Sequence, residues 1–150
     1  MHIVRASPGQ LSDAQVLLHE YYDAIKVQKR DAPGEIEVYL SDTASGFWIA
    51  YVEGVPAGCV VLRPLWATEP AWECKRLYVR PEFRGRGIAE GLLAAMEEYA
   101  TAIGARWIYL DSKDDLRDAL RLYRRRGYQD CARYNDNPQA TVFLRKRLTV

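Results

Sequence analysis

The chain has 150 residues, enough for one domain around a single core, and is 49% hydrophobic with 10 Tyr and 4 Trp, which excludes a disordered chain. A net charge of +1 argues against charge-driven binding to nucleic acid. With no signal-peptide pattern and no run of about 18 apolar residues, a soluble cytoplasmic protein with no membrane partner is expected.

His2 to Ala6 alternates weakly and predicts a first strand. Asp13 to Val27 carries Val16, Leu17, Tyr21, Ala24 and Ile25 at helical spacing, with Ser12 in the N-cap position. Asp31-Ala32-Pro33-Gly34 breaks that helix, and a short helical segment over Glu35 to Leu40 follows. Phe47 to Val52 and Ala57 to Leu62 flank Glu53-Gly54-Val55-Pro56 as an antiparallel hairpin. Pro64 to Pro70, with Trp66 in it, reads as a loop, and Trp72 to Val79 as the next strand. Alternation along this strand places Glu73, Lys75, Leu77 and Val79 on one face and Cys74, Arg76 and Tyr78 on the other.

Pro81 stops the strand, and Arg84-Gly85-Arg86-Gly87 leads into a helix with Ile88, Leu92, Leu93, Met96, Tyr99 and Ile103 on one face, ended by Gly104. Trp107 to Leu110 is a short strand. Ser112 and Asp115 give a capping-box start to a helix carrying Leu116, Ala119, Leu120 and Tyr123, closed by Gly127. Tyr128 to Ala132 and Thr141 to Leu148 are the last strands. The order suits a mixed α/β fold with helices on both faces of a twisted sheet.

Cys59, Cys74 and Cys131 are odd in number and widely spaced, which suits small buried hydrophobes in a reducing compartment. With them His2 and His19 make no familiar metal-binding spacing, and no metal is expected. Of the 21 basic residues 16 are Arg, the better bidentate partner for phosphate and carboxylate.

The chemistry concentrates where the strand ends. N–H groups at a helix start lack intrahelical partners, the helix dipole is positive there, and glycine lets an anion approach the backbone closely. Arg84-Gly85-Arg86-Gly87-Ile88-Ala89 therefore predicts a pyrophosphate cradle. Neither Gly-x-x-x-x-Gly-Lys-Ser/Thr nor Gly-x-Gly-x-x-Gly occurs, which argues against the common nucleotide-binding loops.

This segment resembles motif A of the GCN5-related N-acetyltransferases (GNAT), Arg/Gln-x-x-Gly-x-Gly/Ala, and Ala119-Leu120-Arg121-Leu122-Tyr123-Arg124-Arg125-Arg126-Gly127-Tyr128 resembles motif B. Tyr134-Asn135-Asp136-Asn137-Pro138, followed by Val142-Phe143-Leu144, is similar to the tail of an uncharacterised subgroup. The resemblance covers about residues 46 to 148. It implies a mostly antiparallel twisted sheet of six to seven strands, and transfer of an acetyl group from acetyl-CoA to an amine by direct attack in a ternary complex. It implies that backbone amides of Arg84, Gly85, Arg86, Gly87, Ile88 and Ala89 hold the coenzyme's pyrophosphate. The free edge at Leu77, Tyr78 and Val79, splayed from the next strand, takes the pantetheine arm and polarises the thioester.

By the same resemblance Tyr123 is the general acid that protonates the departing sulfur, its alternative being a core tyrosine on the apolar stripe with Leu116 and Leu120. Glu73 stands near the family's glutamate base. Beside Trp72 it would have reason to titrate high, although Lys75 is placed to pair with it instead. Where the family commonly has an Asn before motif B, this chain has Leu116, which leaves one pantetheine contact unassigned. Tyr21, Tyr22, Trp66, Arg76, Tyr134 and Asn135, with Asn137, are candidates for the acceptor pocket. Arg76 or a nearby Arg would suit a carboxylate and thus an amino-acid-like amine. A peptide amine, or a non-catalytic acyl-CoA-binding module, remains open, as does a homodimer.

Overall fold

The computed structural model describes residues 1–65 and 68–149, so Trp66 lies outside the described residues. β1 (His2–Arg5) is followed by a 3-10 turn, Pro8–Gln10, and by α1 (Leu11–Ile25). Ser12 lies inside α1, whose N-cap position is Gln10, and Ser7 caps the 3-10 turn ahead of it, its N–H donating to Gln10 Oε1 at 2.9 Å as half of a Ser-x-x-Gln box. Lys26, left-handed at φ 55°, ends α1 short of Val27.

α2 (Pro33–Ser41) begins on the Pro33-Gly34 pair that spacing read as a break. Proline's missing N–H costs nothing in a first turn, where no acceptor waits for it. β2 (Gly46–Val52) and β3 (Val55–Leu65) leave only Glu53 and Gly54 between them, both at positive φ (50° and 78°), the geometry of a tight two-residue hairpin. β3 therefore extends through Pro64 into the segment expected as a loop. β4 (Ala71–Val79), α3 (Ile88–Ala102), β5 (Trp107–Ser112), α4 (Arg117–Arg125), β6 (Gln129–Asp130) and β7 (Val142–Arg147) complete the chain. Ser112 stays in β5, and Leu116, not Ser112, occupies the cap position of α4. β6 keeps only Gln129–Asp130 of the expected strand, because after Cys131 N–H donates to Phe143 O at 2.9 Å the chain turns away toward Tyr134.

The seven-stranded sheet has the order β1-β2-β3-β4-β5-β7-β6 and is antiparallel except between β4 and β5. Both faces are covered. Phe47, Ile49 and Val61 meet Leu17, Leu18, Ile36 and Leu40 of α1 and α2. Trp48, Val60 and Leu62 meet Leu92, Leu93 and Met96 of α3 together with Leu120 and Tyr123 of α4. Each of the fully buried Leu92, Leu93 and Met96 contributes about 1.5–3 kcal/mol of transfer free energy. No described helix is long and apolar enough to cross a membrane.

Two irregularities of β4 create the site. β4 pairs with β5 only at Ala71↔Trp107, Trp72↔Ile108 and Glu73↔Tyr109, after which the strands part. On its other side β4 slips register between Val61↔Lys75 and Cys59↔Tyr78, with Arg76 left-handed at φ 59°. That bulge overturns the simple alternation. Trp72, Cys74, Leu77 and Val79 pack against the α3 and α4 side, and Tyr78 packs against the α1 side. Gly58 faces the bulge so closely that a Cβ there would stand 2.6 Å from the Tyr78 carbonyl oxygen.

A polar knot braces α3. Glu97, 7% exposed, accepts from Arg126 (2.7 Å), Lys146 (2.9 Å) and the Tyr128 hydroxyl (2.9 Å). Burial alone would push its carboxyl up, but the hydrogen bonds from Arg126 and Lys146 hold it below its ordinary 4.5. A depressed folded-state value means that this stabilisation is complete above 4.5 and fades as pH falls through the folded value. Urea unfolding of wild type and Glu97→Gln should differ by about 2–3 kcal/mol at neutral pH, the gap shrinking once pH drops below 4.5.

Candidate functional site

Where β4 and β5 part, a cleft of about 810 Å³ opens, bounded by the ends of α1 and α4, the β4 bulge and the loop before β7. That volume suits a small-molecule site. Tyr21, Arg76, Leu77, Tyr78, Val79, Arg84, Tyr123 and Asn135 of the expected residues line it, as does Asn137. Tyr22, Glu73 and Tyr134 do not, and Gly85 to Ala89 lie beyond its rim.

The glycine loop has the form expected of an anion cradle. Gly85 and Gly87 are left-handed (φ 79° and 77°), and Gly87 is the N-cap of α3. The N–H groups of Gly85, Arg86 and Gly87 meet no acceptor among the described residues, whereas Arg84 N–H bonds Pro81 O at 3.3 Å. A Cβ added at Gly85 or Gly87 meets nothing within 4 Å, so backbone conformation and not space calls for glycine there. Arg84 Nε donates to Val79 O at 3.0 Å, tying the loop to the end of β4.

Tyr123 sits on the inner face of α4 with its ring 5.9 Å from that of Tyr128. Every buried polar side-chain atom described has a partner, and no described residue bonds the Tyr123 hydroxyl, so this hydroxyl opens on the cleft it lines. Burial, and behind it the nearby Cys74, Tyr21 and Asp111, holds its proton well above the ordinary 10.0. Burial likewise pushes the Cys59 and Cys74 thiols up, leaving little thiolate for nucleophilic work.

Glu73 is 1% exposed and pairs with Arg63 (2.8 Å), not with Lys75 as the sequence suggested. Its other oxygen accepts from the Tyr134 hydroxyl (2.7 Å) and Asn135 Nδ2 (3.3 Å). The same Asn135 amide reaches Asp111 Oδ2 at 2.7 Å, and Asn137 Nδ2 reaches it at 3.3 Å. Asp111 lines the cleft and is a carboxylate that sequence reasoning passed over. Continuing the β5 alternation one step past Leu110 would have found it. Tyr134 is packed between Tyr109 and Phe143, 5.1 and 5.7 Å between ring centres.

Arg76 is likewise engaged. Its guanidinium donates to Asp31 at 3.1 and 3.4 Å, and Asp31 also accepts from Tyr22 (2.9 Å) and Tyr39 (3.1 Å). Burial, opposed by Arg76, drives the Tyr21 phenol up to about 12. Gln139 closes this end of the cleft, accepting from Gln28 N–H and donating to Lys26 O, both at 3.0 Å. Lys113 Nζ adds a bond to Ile25 O at 2.9 Å.

A family model described as the acetyltransferase (GNAT) family matches residues 13–128. An uncharacterised N-acetyltransferase of Schizosaccharomyces pombe is 36% identical over 89 residues, 59% of this chain and 54% of the relative. The chain spans about half the length of the curated relatives it matches, from 39% to 58% of the first three. An acetyltransferase of the GNAT family from Staphylococcus aureus superposes with a TM-score of 0.81 at 16% identity, over 99% of both chains. The PaiA N-acetyltransferase from Thermoplasma acidophilum, solved in complex with coenzyme A, gives 0.76 at 16% identity over 98% of both. At such identities these two establish the shared fold.

Because the Tyr123 phenol keeps its proton well past the ordinary value, it remains a donor throughout the neutral range. In a tyrosinate absorbance titration, wild type and Tyr123→Phe should superimpose through pH 10.0. A tyrosinate signal that Tyr123→Phe removes below that pH would show the phenol to be far more exposed.

Proposed function

The chain belongs to the GNAT acetyltransferase family, and from that premise we propose that it moves an acetyl group from acetyl-CoA to the primary amine of a small molecule by direct attack in a ternary complex. The observation that carries this reading is the Tyr123 hydroxyl lining the same cleft as the unpaired reach of β4, with the glycine loop tied to the end of that strand. The clamp of Gln139 across the α1–α2 loop supports a small acceptor over a protein chain.

Acetyl-CoA, when bound, supplies a thioester whose acyl carbon takes the amine and whose sulfur leaves as thiolate. The free N–H groups from Gly85 to Ala89 hold its pyrophosphate, with Arg84 and Arg86 adding charge. The edge of β4 beyond Glu73 pairs with the amides of the pantetheine arm, and N–H groups near Leu77 to Val79 polarise the carbonyl. Tyr123 gives its proton to the leaving sulfur. Asp111, which faces the cleft, takes the proton released by the attacking nitrogen. Glu73 acts from behind as a positioning residue, holding the Asn135 amide that orients Asp111.

Free-thiol release from acetyl-CoA over a panel of amino acids, polyamines, aminoglycosides and short peptides tests this. Tyr123→Phe should lower kcat about 10²-fold or more while leaving coenzyme affinity within about threefold. Acetyl-CoA binding without turnover of any amine would favour a non-catalytic acyl-CoA-binding module.

Asp111→Asn should lower kcat about 10²-fold or more with the acceptor KM little changed, whereas Glu73→Gln should cost less and Glu73→Asp should recover part of that loss. The reverse pattern would return the base to Glu73. Gly87→Ala puts a Cβ on a left-handed residue, so the free loop should relax out of that conformation, and regaining it on binding at about 1–2 kcal/mol should raise the Kd for coenzyme A roughly 5–30-fold in calorimetry.

A further inference from the structure

Among the cations that line the cleft, three stand on β3 and β4: Arg63, Lys75 and Arg76. Two are cancelled within the protein, Arg63 by Glu73 at 2.8 Å and Arg76 by Asp31 at 3.1 Å. Lys75 makes no salt bridge or hydrogen bond to any described residue, although it is half-buried. Burial, then the neighbouring guanidiniums of Arg76 and Arg63, push its ammonium below the ordinary range, a strain that an arriving anion would relieve.

Across the parted strands lies a charge of opposite sign. The ladder stops at Glu73↔Tyr109, and two residues further along each strand, on the same face, stand Lys75 and Asp111. No salt bridge joins them. Asp111 is bonded by the neutral amides of Asn135 and Asn137, so no described cation neutralises it. The mouth of the splay thus presents an unpaired cation on β4 and an unpaired carboxylate on β5.

We propose that Lys75 is the anchor for a carboxylate on the acceptor, so that the acceptor is an amino acid or amino-acid-like zwitterion whose amine lies toward Asp111 and whose carboxylate lies on Lys75. Arg76 is unsuited to that task because turning to a substrate would strand the buried Asp31 without its cation. The assignment names the acceptor class of the acetyltransferase reading and rests on it.

The test uses the intact protein saturated with coenzyme A and calorimetric titration with the standard amino acids, ω-amino acids and their matched carboxamides. For at least one pair, wild type should bind the acid about 10-fold or more tighter than the amide. Lys75→Gln should abolish that preference while holding amide affinity within about threefold, and Lys75→Arg should restore it in part. Equal binding of acids and amides by wild type, no binding of any acid, or a preference that survives in Lys75→Gln overturns the anchor.

Thiol release from acetyl-CoA with the same pairs separates the two claims. Turnover without acid preference removes the anchor and leaves acetyl transfer standing. Acid-selective binding without turnover does the opposite.

Discussion

Asp31 accepts hydrogen bonds from Arg76, Tyr22 and Tyr39, and in doing so fixes the backbone at the point where β4 bulges. A left-handed non-glycine residue costs on the order of 1 kcal/mol and persists only where its surroundings overdetermine it. Here a buried ion pair does so, with side-chain exposures of 9% and 4% that make it costly to break. The bulge sends Leu77 and Val79 toward α3 while Arg76 turns to Asp31 and Tyr78 packs on the α1 side. Without that extra residue the face presented to the parted β5 would be inverted, and the cleft would meet the wrong side chains.

The same logic governs the other buried carboxylates. Glu73 has Arg63 and the Tyr134 hydroxyl, and Glu97 has Arg126, Lys146 and the Tyr128 hydroxyl. Each pairing offsets desolvation more than it adds net stability, so its main consequence is geometric. Glu97 joins α3, the end of α4 and β7, and through Tyr128 it braces the ring of Tyr123. A proton donor that must meet a leaving sulfur gains from being held by three elements, because a small misplacement costs rate steeply.

Local motifs were legible in the chain because their physics is local. The glycine pair before an apolar helix and the Tyr123 stripe closed by Gly127 required only neighbours in sequence, and the structure starts α3 directly after Gly87 and buries Leu120 and Tyr123 on one face of α4. The caps were misread where two signals competed. Ser7 with Gln10 opens the 3-10 turn ahead of Ser12, and Ser112 followed the alternation of β5 instead of capping α4. Asp31 looked like a turn former beside Pro33, because nothing in its neighbourhood announces a partner 45 residues away.

The electrostatics of the cleft were hidden for a different reason. Pairing Glu73 with Lys75 assumed an interaction along one strand, but neighbouring strands bring charges closer than same-strand spacing does. Arg63 stands opposite Glu73 in the β3–β4 register and takes it, which releases Lys75. Asp111 then owes its isolation to the place where the β4–β5 ladder ends, since a continued ladder would set it beside Lys75 and close the pair internally. The parting of the strands therefore does two things at once. It opens a backbone edge for the pantetheine arm and keeps two opposite charges from satisfying each other, so that both are available to a third molecule.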